Sequence, residues 1–206
     1  MKLFSQARPN QVCGEITPGY AILNPEDIER IQVINPDIRL LLLIRDPIER
    51  AWSGLRHNVA KGKHIDWNSE MEMLSRLKKP DVALRGDYVT IVDNYLKFFD
   101  SSQLLVCFYD SIAHNPAGLL RSITSFLGIK QTPGKNADLK QRVNVSPTRD
   151  MPRIVREHLI EQYMPMITRA SDRFGSYASS WKARYCDGGT PYTCATDGAQ
   201  PPAVHP

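Results

Sequence analysis

The stretch "IRLLLLIRDPIERAWSGLRH", residues 38 to 57, decides the fold. Its first half is an unbroken apolar run, and residues 39–44 predict a strand buried on both faces, as in a parallel sheet covered by helices on either side. Within two residues the chemistry changes to Arg45, Asp46 and Pro47. Asp46 stands at a helix cap, Pro47 at the first helical position and Glu49 in the first turn, the pattern of a capping-box-like start. Ile48, Trp52, Leu55 and Val59 then recur at helical spacing. The unit reads as strand, tight turn and helix.

Working outward, "NPEDIERIQVIN" (24–35) has Asn24 as cap and Pro25 at the first helical position, with Ile28, Ile31 and Ile34 facing one way. "SEMEMLSRLKK" (69–79) and "GDYVTIVDNYLKFF" (86–99) predict helices, the second with a core stripe of Tyr88, Ile91, Val92, Tyr95, Phe98 and Phe99. "SQLLVCFYD" (102–110) predicts a second buried strand, and "NPAGLLRSITSFLG" (115–128) a helix closed by Gly128. Residues 131–148 are polar and irregular. Residues 150–175 predict a last helix, bent or interrupted at Pro165. Strands alternating with helices mean an α/β sheet with right-handed crossovers. Residues 1–185 read as one domain, and residues 186–206 as a Gly/Pro-rich disordered tail.

Composition narrows the function. With 26 Lys and Arg against 22 Asp and Glu, the net charge of +4 suits an anionic ligand and is far too small to indicate nucleic acid. The longest apolar run cannot span a bilayer and the first residues lack the apolar stretch of a signal peptide, so the chain as written reads as cytoplasmic. Cys13, Cys107, Cys186 and Cys194 form no metal-ligand spacing with the five histidines, and no metal is expected. Cys107 reads as core. Cys186 and Cys194 are either a small disulfide loop or free thiols, depending on the compartment.

Ligands of open α/β sheets bind beyond the carboxyl ends of the strands, where Arg45 stands. Its planar fork suits phosphate or sulfate, and the following helix N-terminus adds a favourable dipole. At about 100° per residue, the polar side of that helix carries Glu49, Arg50, Ser53 and His57. One guanidinium and one hydroxyl therefore converge on a single anionic group. The absence of "GxxxxGK[ST]" disfavours a nucleoside kinase.

In order, "GEITPGY" (14–20), residues 35–57, "GDYVTIVDNYLKFF", "LLVCFYDSIAHNPAGLLRSITSFLGI" (104–129) and "RVNVSPTRDMP" (142–152) resemble the sulfotransferase domain of the PAPS-dependent family. The likeness is strongest to the heparan sulfate (glucosaminyl) sulfotransferases and their bacterial relatives. "RDPxERxxS" is its most specific part. The resemblance implies a three-layer α/β sandwich like that of the P-loop NTPases, with a parallel sheet. It implies PAPS as sulfuryl donor, a carbohydrate hydroxyl or amine as acceptor, and Arg45 and Ser53 on the 3'-phosphate. Lys140 and Arg142, in the basic loop before the last helix, are further cofactor candidates. Glu15, Thr17 and Pro18 fall in the family's "EKTPxY" segment on the acceptor side, where Ile16 replaces a lysine.

The family's first strand and phosphosulfate-binding loop lie upstream of that segment, and none of the fourteen residues before Glu15 spells such a loop. Sulfuryl transfer needs in-line positioning, donors for the developing charge and a base for the acceptor's proton. Glu15 and His57 are the candidates for that base, though the plainer reading, Glu15 as a hydrogen-bonded structural carboxylate and His57 as a solvated helix residue, weighs more for each. Two readings follow: a sulfotransferase, or a truncated, non-catalytic remnant that at most binds adenosine 3',5'-bisphosphate.

Overall fold

The computed structural model describes residues 5–8, 11–129 and 148–186. A short 3-10 helix, Pro18–Ile22, leads into α1 (Pro25–Ile34), β1 (Leu40–Ile44) and α2 (Pro47–Ala60). After these come α3 (Glu70–Leu77), α4 (Pro80–Leu84) and α5 (Tyr88–Tyr95). The second strand, β2 (Leu104–Phe108), is followed by α6 (Asp110–His114) and α7 (Pro116–Phe126). The described chain ends with α8 (Arg153–Phe174) and α9 (Ser176–Cys186). Most predicted elements form, and Asn24 caps α1 as expected by accepting from the Asp27 amide; Ser69 likewise accepts from Glu72 and Asn115 from Gly118.

β1 and β2 pair in parallel, with Leu40 opposite Leu104 and Ile44 opposite Phe108. One face of the pair, carrying Leu40, Leu42, Ile44, Leu104, Val106 and Phe108, packs into a core built with α2, α5, α8 and α9. The opposite face is covered unequally. Leu105 and Cys107 of β2 are buried beneath the neighbouring helices α6 and α7. Leu41 and Leu43 of β1 are 44% and 42% exposed. The expectation of a strand buried on both faces therefore holds for β2 and fails for β1, because no described helix extends over those two leucines.

Three other expectations are corrected. Ile34 does not join Ile28 in the core; it is exposed in the last turn of α1, where the chain turns toward β1. The final helix is not interrupted at Pro165 but runs unbroken from Arg153 to Phe174. It stops at Gly175, whose φ of 58° suits a residue without a side chain, and α9 folds back along it. Arg50, expected on the solvated side of α2, is half-buried. Its Nη2 donates to the Val82 carbonyl at 2.6 Å and to the Tyr163 hydroxyl at 3.2 Å.

The turn between β1 and α2 is fixed by Asp46, which is 3% exposed. Its Oδ1 accepts from the amides of Ile48 and Glu49, capping α2. Its Oδ2 accepts from Arg184 Nη1 at 3.0 Å and from the Tyr185 hydroxyl at 2.6 Å, both on α9. One carboxylate thus ties the first strand-to-helix turn to the last helix, across about 140 residues of chain. Burial pushes its pKa up, opposed by the Tyr185 hydroxyl and the Arg184 charge.

Gly86, in the turn before α5, lets that turn approach α8 and α2 closely. A Cβ there would lie 2.6 Å from Tyr163 Cε1 and 3.2 Å from Pro47 Cβ. Gly86→Ala is expected to lose about 1 to 3 kcal/mol in urea unfolding, since Tyr163 is buried and hydrogen-bonded in place. Asp46→Ala removes a cap and leaves Arg184 and Tyr185 without their acceptor. The expected loss is about 3 kcal/mol, read from the denaturation midpoint, whereas Arg184→Ala, at a partly solvated partner, costs less.

Candidate functional site

Arg45 follows β1 directly, at the carboxyl end of the parallel pair. Its backbone is held by Tyr88 at the start of α5: the Tyr88 hydroxyl donates to the Arg45 carbonyl at 2.6 Å and receives its amide at 3.4 Å. Burial pushes the Tyr88 pKa up to about 12, so the hydroxyl remains a donor at any physiological pH. With the backbone held on one side by Tyr88 and on the other by the Asp46 contacts, the guanidinium lies over the Tyr109 ring, 4.7 Å from its centroid. Tyr109 itself follows β2, and its amide donates to the Ile44 carbonyl. The two strand ends therefore deliver the cation and its aromatic support side by side. Among the described residues Arg45 has no carboxylate partner.

Ser53 stands in the second turn of α2, half-buried. His57 follows one turn later, exposed, within about 40° of the same helix direction. The helix dipole invoked for this anion site is less available than the sequence suggests. The amides of Ile48 and Glu49 are already taken by Asp46, whose charge offsets the positive helix end. The positive charge presented at the end of β1 is therefore that of the Arg45 guanidinium.

A cluster that sequence reasoning missed lies beside the same helix. The Trp52 indole, expected only as core, donates its N–H to the Arg149 carbonyl at 3.0 Å. The Arg149 guanidinium lies over Trp67, 4.6 Å from the ring centroid, and Trp67 meets Trp52 edge-on at 5.9 Å. The end of the basic segment is thereby fastened to α2. Lys140 and Arg142 lie outside the described residues, as does Cys194 and with it the question of a Cys186–Cys194 pair.

The "EITPGY" segment forms its own small network. Glu15 accepts from the Tyr20 hydroxyl at 2.7 Å and from Thr17 at 3.3 Å, and is exposed. Ile16 is 96% exposed. The segment is anchored from below: Arg85 donates to the Pro18 carbonyl at 2.9 Å, and the Tyr95 hydroxyl to the Tyr20 carbonyl at 2.8 Å. Arg85 also lines a cavity of about 410 Å³ between α2, α3 and α4, on a different side of α2 from Ser53. Among the described residues no helix is long and apolar enough to cross a membrane.

Comparison with known proteins agrees with this architecture. Residues 24–182 match the model of the sulfotransferase domain family. The mouse heparan sulfate glucosamine 3-O-sulfotransferase 6 is 27% identical over 133 residues, covering 63% of this chain and 39% of that protein. The human bifunctional heparan sulfate N-deacetylase/N-sulfotransferase 2 is 29% identical over 104 residues, 46% of this chain and 12% of that protein. The chain therefore spans well under half the length of these curated relatives. A crystal structure of a sulfotransferase from Alicyclobacillus acidocaldarius superposes with a TM-score of 0.56 at 23% identity, covering 77% of this chain and 63% of that one. With the family model matched over residues 24–182, most of its length, the chain belongs to the sulfotransferase domain family.

Proposed function

We propose that this chain works with PAPS as a sulfotransferase toward a carbohydrate hydroxyl or amine, with Arg45 and Ser53 binding the 3'-phosphate. The observation that carries the reading is the fixed Arg45 backbone, clasped by Tyr88, with its guanidinium supported by Tyr109 and free of any carboxylate among the described residues. A planar cation and a hydroxyl from the next helix are the donor types a phosphate takes. When bound, PAPS supplies an activated sulfuryl group on a good leaving phosphate. Arg45 and Ser53 orient that group's nucleotide end, and Lys140 and Arg142 are further proposed contacts.

Glu15, Thr17 and Pro18 form the acceptor side. The acceptor's proton passes either to the Glu15 carboxylate, pre-positioned by Tyr20 and Thr17, or to the His57 imidazole, one turn beyond Ser53. A sugar acceptor is supported by the relatives, which are named as glucosamine 3-O-sulfotransferases and as an N-sulfotransferase. Residues 1–185 are the proposed domain and residues 186–206 the proposed tail.

Calorimetric titration with adenosine 3',5'-bisphosphate tests the assignment. Arg45→Ala is expected to weaken binding by roughly 30- to 1,000-fold and Ser53→Ala by about five- to ten-fold. Binding by the wild type that is indifferent to Arg45→Ala would refute the site. Transfer of labelled sulfate from PAPS to a glucosamine-containing oligosaccharide tests the reaction. Of Glu15→Gln and His57→Ala, the one that lowers kcat by about 10²-fold or more with nucleotide affinity intact identifies the base. Nucleotide binding with no transfer to any sugar would instead favour a domain that only holds the nucleotide.

A further inference from the structure

Arg45 has a carboxylate next to it in the chain, yet the two do not pair among the described residues. Consecutive Cα atoms lie about 3.8 Å apart and an arginine stem is long and flexible, so chain connectivity alone brings Asp46 within reach. The guanidinium rests instead over the Tyr109 ring, 4.7 Å from its centroid. A ring face holds a guanidinium more weakly than a carboxylate does, so the observed arrangement requires that Asp46 be engaged elsewhere.

Its four donors are of two kinds. The neutral amides of Ile48 and Glu49 take Oδ1. Oδ2 takes the Tyr185 hydroxyl at 2.6 Å and Arg184 Nη1 at 3.0 Å. All four donate, which holds the group as a carboxylate, and Arg184 is the one charged donor of the four. The Asp46 side chain is 4% exposed and that of Arg184 34%, so a cation on α9 covers a carboxylate that has almost no water of its own. Glu49, in the first turn of α2, adds a second negative charge that acts on both Asp46 and Arg184. Arg184 therefore stands against two carboxylates of the turn that carries Arg45. A buried carboxylate stripped of its cation is strongly unfavourable, and with Arg184 gone the cation beside it in the chain is Arg45. Pairing those two would draw the guanidinium off the ring and cancel the charge at the end of β1.

We infer that Arg184 is a positioning residue for the anion site: by holding the Asp46 carboxylate, it keeps the Arg45 guanidinium unpaired and available to a phosphate. The choice of phosphate rests on the function proposed above; the charge relation between Arg184, Asp46 and Arg45 rests on the geometry alone. A helix far from β1 in sequence thereby sets the charge presented at the end of that strand. By linkage, docking of α9 and binding of an anion at Arg45 favour each other by the same factor.

The test is a mutant cycle read by calorimetric titration with adenosine 3',5'-bisphosphate, at a temperature where circular dichroism shows each variant folded. Arg184→Gln keeps a donor but removes the charge, and is expected to weaken binding about ten-fold. Asp46→Asn keeps an oxygen to cap α2 and removes the negative charge. On the Asp46→Asn background, Arg184→Gln is expected to cost less than about three-fold, because no carboxylate is left there to capture Arg45. Arg184→Lys, which keeps the charge, is expected to stay within about three-fold of the wild type. Full affinity in Arg184→Gln overturns the inference. So does an equal loss from Arg184→Gln on both backgrounds, since Arg184 would then act on the anion without Asp46. NMR of the Arg45 side chain with no nucleotide present gives a reading independent of the phosphate. Exchange of its Nε proton with water is expected to slow in Arg184→Gln, as Arg45 pairs with Asp46, and to recover in the double variant; unchanged exchange overturns the inference. If the wild type binds no nucleotide while that exchange slows, the charge relation stands and the nucleotide reading falls. If the nucleotide binds normally and neither measurement responds to Arg184→Gln, the nucleotide reading stands and the role of Arg184 falls.

Discussion

The buried carboxylate of Asp46 is the constraint on which the rest of the structure depends. A carboxylate excluded from water costs several kcal/mol unless its oxygens are met by donors, and Asp46 has four: two amides of α2, the Tyr185 hydroxyl and the Arg184 guanidinium. Two come from its own helix and two from the far end of the domain. Satisfying this one group therefore requires the first strand-to-helix turn and the last helix to meet. With α9 in place, Trp181 is sealed against Phe108 of β2, so the same closure also completes the core under the sheet.

A second polar knot fixes α2 against α4 and α8. The Val82 carbonyl receives both Arg50 and the Tyr163 hydroxyl, and Tyr163 fits there because Gly86 leaves room beside it. With its first turn pinned at both points, α2 presents different chemistry on its different sides. One side carries Ser53 and His57, and another, with Arg50, Gly54 and Asn58, lines the basic cavity. Arg45 gains its position from the Asp46 contacts and from Tyr88, because the turn that holds it is fastened by Tyr88 on one side and Asp46 on the other.

Several elements were legible in the sequence because their causes are local. Asn24, Ser69, Asp46 and Asn115 cap helices through side chains that reach amides two or three residues on. The apolar run at Leu40 to Ile44 identified a strand, and "RDPIERAWS" carried the family and the residues proposed for the phosphate. What misled were features set by neighbours. An apolar strand residue does not record whether a helix covers it, so the exposure of Leu41 and Leu43 had no sequence signal. Pro165 removes one backbone donor from α8, yet packing of Leu159, Tyr163 and Ile167 into the core carries the helix through it.

The sequence by itself determined the local chemistry: where strands and helices begin, which cation follows β1, and which family shares that order of motifs. Only the tertiary structure decided where charges end up. It buried Asp46 against α9, drew Arg50 away from solvent to a carbonyl thirty-two residues on, and gathered Lys63, Arg76, Lys79 and Arg85 around one cavity. The physical reason is range. Capping and periodicity act within one or two helical turns, whereas the electrostatic character of a surface is the sum over side chains that folding brings together from distant parts of the chain.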